Sequence, residues 1–246
     1  MKVRLNKFIA SSGLCSRRKA DQLIQEGKVK VNGKTVRELG TLVDPDKDKV
    51  EVEGKEIKPA EEKEYYIIYK PTGYLTALGK DRFGRKTLTD LFKEIGFKKS
   101  VFPVGRLDYD SEGLLILTND GELAYRITHP KHKVPKTYLV EIEGRVNAKD
   151  FNKMEKGTKL ENGEFIKPDR ISIKKKKNKS TVIEITIHSG QKRVLRRFFK
   201  KFGYPVKRLT RISVGNIKID SLKPKQIRKI SKKDIQKLKE RLEKRR

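Results

Sequence analysis

A chain of 246 residues can hold one large domain or two modest ones around a real core, and its 62 Lys and Arg against 32 Asp and Glu leave a formal charge of +30. That excess points to a polyanion, nucleic acid first, with counterion release supplying much of the affinity. No apolar run approaches the roughly 20 residues that span a bilayer. A single cysteine, Cys15, excludes an internal disulfide and, with no Cys-x-x-Cys pattern, argues against zinc and redox chemistry, so no metal or cofactor is expected.

Residues 1–59 read as a self-contained unit. Phe8-Ile9-Ala10 is too short for the apolar region of a signal peptide, so a cytoplasmic protein is expected. Leu5, Phe8 and Ile9 recur at helical spacing, as do Ala20, Leu23 and Ile24 after a capping residue, Ser16. Val29-Lys30-Val31 alternates into Asn32-Gly33, a type I′ hairpin signal, and Val50 to Glu53 alternates again before Gly54. Arg17, Arg18 and Lys19 crowd the first turn of the second helix, where the helix dipole disfavours cations. A bound phosphate would reverse that penalty, because the free N–H groups of the turn and the basic side chains would address one anion.

Lys58 to Glu64 combines a proline with clustered charge, and residues 60–64 are read as a linker. A larger domain is expected over 65–230. Tyr65 to Tyr69 reads as a strand and Thr87 to Phe92 as the start of a short helix. Leu114 to Leu117 reads as a buried strand closed by a turn at Asn119-Asp120-Gly121. The alternations at Tyr138, Val140, Ile142 and at Ile183, Ile185, Ile187 predict half-buried strands. Lys174 to Lys179 reads as an exposed basic loop, and His129 and His132 as loop residues. Val194, Leu195, Phe198, Phe199 and Phe202 make a helical face ended by Gly203. Residues 231–246 form a basic helix or tail with Ile235, Leu238 and Leu242 on one side, docked or loose until RNA is present. Without βαβ regularity, the expected class is α+β with a mainly antiparallel sheet.

The most informative segment is Gly105-Arg-Leu-Asp-Tyr-Asp-Ser-Glu-Gly-Leu-Leu-Ile-Leu-Thr-Asn-Asp-Gly121. An extended backbone would turn the side chains of Arg106 and Asp108 the same way, a carboxylate beside a cation at the edge of a core. The N-terminal residues Arg4 to Ala10, Ser16 to Ala20 and Gly27 to Gly33 resemble the S4 RNA-binding domain, which packs two helices on a small sheet. The central segment resembles the catalytic motif of Rsu-type ribosomal RNA pseudouridine synthases. The landmarks Lys70-Pro71-x-Gly73, Lys136-x-Tyr138 and Gly190-x-x-Arg193-x-x-Arg196-Arg197 follow in the same order.

That resemblance implies isomerisation of a uridine in ribosomal RNA, flipped from a structured or single-stranded region, free or in an assembling subunit; for oligomeric state a monomer is the simplest assumption. It assigns Asp108 as the carboxylate that attacks the sugar or removes a proton from it, Arg196 as its cationic partner, and Tyr138 to stacking on the uracil. Arg106 would lie beside the flipped nucleotide. Arg4, Lys7, Arg17, Arg18, Lys19, Lys28, Lys70, Lys136, Arg193 and Arg197 are the expected substrate and RNA contacts. Gln191 and Val194 depart from the Arg and polar residue usual in the basic motif, and Asp110-Ser111-Glu112 departs from the common Thr-Ser or Thr-Thr. Asp110 and Glu112 near Asp108 also admit a two-carboxylate glycosidase reading. An S4-bearing assembly factor with a vestigial carboxylate and a nucleosidase that frees uracil are the other rivals.

Overall fold

A computed structural model describes residues 1–60 and 62–244; Glu61 of the expected linker and residues 245 and 246 of the tail lie outside the described residues. The chain divides into two compact units, Met1–Glu64 with Asn119–Gly121, and Tyr65–Thr118 with the chain from Glu122 onward.

In the first unit, β1 (Val3–Arg4) leads into α1 (Leu5–Ser11) and α2 (Arg17–Gln25), followed by β2 (Val29–Val31), β3 (Lys34–Val36), β4 (Leu42–Val43), β5 (Val50–Val52) and β6 (Lys55–Ile57). The Ser16 hydroxyl accepts the Lys19 N–H at 3.2 Å, as its capping position requires. Asn32 and Gly33 both take positive φ, 51° and 80°, and turn β2 onto β3 with Val29 opposite Val36. Leu5, Phe8, Ile9, Ala20, Leu23 and Ile24 close one core with Val29, Val43, Val50 and Val52. The short β1–β4 pair was not foreseen.

The second unit runs β7 (Tyr65–Lys70), α3 (Leu88–Glu94), β8 (Phe102–Pro103), β9 (Glu112–Thr118), α4 (Gly121–Thr128), β10 (Lys136–Glu143), α5 (Ala148–Lys156), β11 (Thr158–Lys159) and β12 (Phe165–Ile166). It continues with β13 (Arg170–Lys176), β14 (Ser180–Ile187), α6 (Val194–Lys201), β15 (Val206–Val214), β16 (Ile217–Lys218), β17 (Ile227–Lys229) and α7 (Lys232–Glu243). A nine-stranded sheet follows the order β13-β14-β10-β15-β9-β7-β17, with β16 on β15 and β8 on β9. Its pairs are antiparallel except β15–β9, where Thr210 stands opposite Glu112 and Arg211 opposite Gly113. The α+β expectation with a mainly antiparallel sheet therefore holds. That parallel seam needs a glycine: Gly113 has φ 105°, and a Cβ there would strike the Arg211 carbonyl oxygen and lie 2.7 Å from its backbone nitrogen.

Three expectations change. Lys174 to Lys176 belong to edge strand β13, with Lys175 and Lys176 opposite Val182 and Thr181, so the exposed loop is shorter than read. Lysines suit that edge because they discourage pairing with another chain. Helices α4 and α5 were not anticipated. Gly105 to Asp108 is irregular chain between β8 and β9 rather than strand. The tail helix docks: Ile235, Leu238 and Leu242 pack with Leu114, Ile116 and Val214. Among the described residues no helix is long and apolar enough to cross a membrane.

Candidate active site

The segment that carries Asp108 is tied at its middle residue. Leu107 donates its N–H to the Thr76 hydroxyl at 3.1 Å, and that hydroxyl donates to the Leu107 carbonyl at 2.7 Å. The Leu107 side chain is buried, so its neighbours Arg106 and Asp108 face outward together without a strand to alternate them. Both line a cavity of about 470 Å³ whose walls include Lys136, Tyr138, Gly190, Lys192, Arg193 and Arg211. Asp108 is half-buried, and its carboxylate makes no hydrogen bond or ion pair among the described residues. Lys70, Arg193 and Arg196 all feel its charge. Tyr138, on β10 between Ile185 of β14 and Arg211 of β15, presents its ring to this cavity from the edge of the core.

The cations hold the frame around Asp108. Arg193 sits at the left-handed N-cap of α6 (φ 53°) and donates to both Asp110 oxygens, at 3.0 and 2.9 Å. Arg196 donates to the Asp110 carbonyl at 2.7 Å and to the Val206 carbonyl at 3.2 Å, and pairs with the Asp110 carboxylate at 3.2 Å. Its direct carboxylate is thus Asp110, and it acts on Asp108 across space. Burial alone would push the Asp110 carboxyl up, but the Arg193 hydrogen bonds and the Arg196 charge hold it below its ordinary value. Burial raises Glu112 likewise, and donors from Arg208 (2.6 Å), Thr210 (2.8 Å) and Tyr69 (3.0 Å) outweigh it. With both carboxylates engaged, neither is free for the water-activating role that a two-carboxylate glycosidase needs.

Lys70 is corrected from RNA contact to internal tie. It is fully buried at the end of β7, and its Nζ donates to the Pro71 and Ser111 carbonyls, each at 2.9 Å. Ser111 in turn donates its N–H to the Asp108 carbonyl at 3.1 Å, so the lysine braces the turn behind the free carboxylate. Burial first, then Arg211, lowers Lys70 to about 8, against the raising influence of Asp108, Asp110 and Glu112. Lys136 lines the cavity, donates to the Val134 carbonyl at 3.3 Å and is also lowered to about 8 by burial and Arg211. Arg106 and Lys192 are exposed at the mouth. Arg197 pairs with Glu164 at 3.8 Å and is not among the residues lining the cavity.

The departures from the basic motif have local reasons. Val194 is buried in the core under α6, and Gln191 accepts a hydrogen bond from Asn162 at 3.3 Å. In the first unit, Arg4, Lys7, Arg17, Arg18 and Lys19 are exposed, while the exposed Lys28 is shared between Glu26 at 3.0 Å and Glu53 at 3.3 Å. Sequence reasoning missed Arg211, because nothing local sets it apart from Arg208 in the same strand. The nearest signal was Gly113, a glycine inside an apolar strand and therefore a sign that another backbone comes close.

Comparison with known proteins gives one consistent answer. A family model described as RNA pseudouridylate synthase matches residues 64–201, and one described as S4 domain matches residues 3–50. The chain is 52% identical over 238 residues to a protein of Aquifex aeolicus (strain VF5) named an uncharacterized RNA pseudouridine synthase, covering 97% of this chain and 94% of the relative. It is 42% identical over 237 residues to a Bacillus subtilis (strain 168) protein named ribosomal large subunit pseudouridine synthase B, covering 96% and 95%. A crystal structure of a pseudouridylate synthase superposes with a TM-score of 0.65 at 29% identity, covering 96% of this chain and 99% of that one.

Proposed function

Because the chain belongs to the RNA pseudouridylate synthase family and carries an S4 domain, we propose that it isomerises one uridine of ribosomal RNA to pseudouridine, with Asp108 acting on the sugar. The observation that carries this reading is a carboxylate without a partner among the described residues, opening on a cavity of about 470 Å³ beside an aromatic ring. The reaction breaks the bond from ribose C1′ to uracil N1, turns the ring and rejoins it through C5. It needs neither an oxidant nor a second substrate. An ionised carboxylate suits either an attack at C1′ or removal of a sugar proton.

The target nucleotide must leave its stack, at a cost of a few kcal/mol. Phosphate contacts from Arg106, Lys192 and Arg193 at the mouth offset that cost, with Tyr138 against the ring. In this reading residues 1–59 grip the RNA through Arg4, Lys7, Arg17, Arg18 and Lys19, and residues 65–230 do the chemistry, with helix α7 packed beneath. The name of the Bacillus subtilis relative supports large-subunit RNA as the substrate, and the cytoplasm as the place of work.

RNA carrying tritium at uridine C5 tests the proposal, since rejoining through C5 must release the label to water. Release from a large-subunit fragment is expected. No release from any ribosomal RNA fragment would favour an S4-bearing binding factor, and free uracil in the product would favour a nucleosidase.

A further inference from the structure

Arg211 is only 3% exposed, yet it lines the cavity that holds Asp108 and Tyr138. Its Nε donates to the Leu114 carbonyl at 2.8 Å and its Nη1 to the Arg106 carbonyl at 3.3 Å. The buried Nη2 has no hydrogen-bond partner among the described residues. Native structures rarely leave a buried charged donor without an acceptor, and such exceptions call for an explanation. Two further observations point the same way. Lys136 lines the same cavity, lowered to about 8 by burial and by Arg211 with no carboxylate opposing. The Ser111 hydroxyl, also buried and without a hydrogen-bond partner among the described residues, belongs to the same lining. Two cations in one lining, one of them buried with an unused donor, suit a ligand that develops negative charge.

Depth decides which part of a nucleotide takes that place. Arg106, Lys192 and Arg193 are exposed at the mouth, where the phosphates of an everted nucleotide stay. Arg211 is among the most buried lining residues, within reach only of what inserts furthest, the base.

We propose that Arg211, through Nη2, donates to a carbonyl oxygen of the everted uracil and, with the Lys136 charge, holds the ring as an anion while it is detached from the ribose. This rests on the isomerase reading above. When the C1′–N1 bond breaks, its electron pair leaves with the ring by either route open to Asp108, and the charge spreads onto O2 and O4. C5 then bonds to C1′ as the Asp108 bond to the sugar breaks or the captured proton returns to it; the C5 proton passes to solvent and N1 takes one up, so atoms and charge balance. A donor at the ring oxygens binds the anion more strongly than neutral uracil, which is where binding energy lowers a barrier. One fixed donor can also serve both halves of the reaction. A half-turn about the line from N3 to C6 exchanges N1 with C5 and, in the same motion, O2 with O4. The oxygen leaving Arg211 is replaced by its twin.

The test is single-turnover product formation on a ribosomal RNA fragment that the wild-type protein isomerises, with the target uridine replaced by 2-thiouridine or 4-thiouridine. Sulfur accepts hydrogen bonds weakly, so at least one replacement should slow the wild type about tenfold. On unmodified RNA, Arg211→Met and Arg211→Lys should slow turnover about a hundredfold with RNA affinity little changed. In either variant the sulfur should add less than about a twofold effect, because the contact is already gone. Sulfur and substitution effects that multiply would make Arg211 a merely structural residue and overturn the proposal. So would a wild type indifferent to both sulfurs, however the variants fold. Absence of tritium release by the wild type would instead defeat the isomerase reading on which the proposal stands.

Discussion

Lys70→Met separates an internal tie from an RNA contact, and its size can be worked out. The lysine is lowered from 10.5 to about 8, mainly by burial, which corresponds to roughly 3 kcal/mol against the charged form in the folded state. Below pH 8 both folded and unfolded chains hold the proton, and the cost is present in full. Between about 8 and 10.5 the folded protein releases it while the unfolded chain keeps it, so this contribution makes the protein more stable as pH rises. The neutral amine still has hydrogens for the Pro71 and Ser111 carbonyls, so the tie survives deprotonation. Methionine removes both the charge and the ties, leaving two carbonyls without a donor at about 1–3 kcal/mol each. Lys136, lowered by burial and Arg211, keeps its own titration in the variant, and so cancels from the comparison.

Thermal melting followed by circular dichroism between pH 7 and 10.5 reads the difference. The wild type should gain roughly 3 kcal/mol relative to the variant over that range, or roughly 6–12 °C for a domain of this size. RNA binding should keep its salt dependence, whereas loss of a phosphate contact would reduce the slope by about one. A difference that does not change with pH, or a shallower salt slope, would refute the buried-tie account.

Other expectations follow from the same geometry. Asp108→Asn should lower single-turnover isomerisation at least about a thousandfold while RNA affinity, measured by filter binding, moves only a few fold. Gly113→Ala must force a Cβ onto the Arg211 backbone at positive φ, so denaturant unfolding should show a loss of about 2–4 kcal/mol. Replacing Arg17, Arg18 and Lys19 together with alanine should reduce the magnitude of the logarithmic salt slope of RNA binding by about two or more, leaving the melting midpoint nearly unchanged.

What the sequence made legible was what short segments decide among themselves. The Ser16 cap, the Asn32-Gly33 turn and the alternation around Tyr138 are each governed by a few neighbouring residues, and each appears in place. Helix α5 escaped notice because Phe151 and Met154 alone carry its apolar side. Helix α4 begins at the glycine of Asn119-Asp120-Gly121, which read as a turn. Resemblance pointed to Asp108, but not to its surroundings. That Arg196 joins Asp110, that Lys70 turns inward and that Arg211 lies under the cavity are consequences of pairings between distant strands, which local periodicity does not encode.

The parallel seam has a bearing on synthesis. Arg211 reaches Leu114 across 97 residues of chain and Arg106 across 105. A growing polypeptide therefore exposes Asp108 well before the strand that completes its pocket has been translated, and closing so long a loop is slow. Chains that stall or are clipped upstream of β15 would carry Asp108 without Arg211 and, under the proposed roles, would bind RNA but leave it unmodified. The pocket around Asp108 is therefore a property of the assembled sheet and not of the segment that carries the carboxylate.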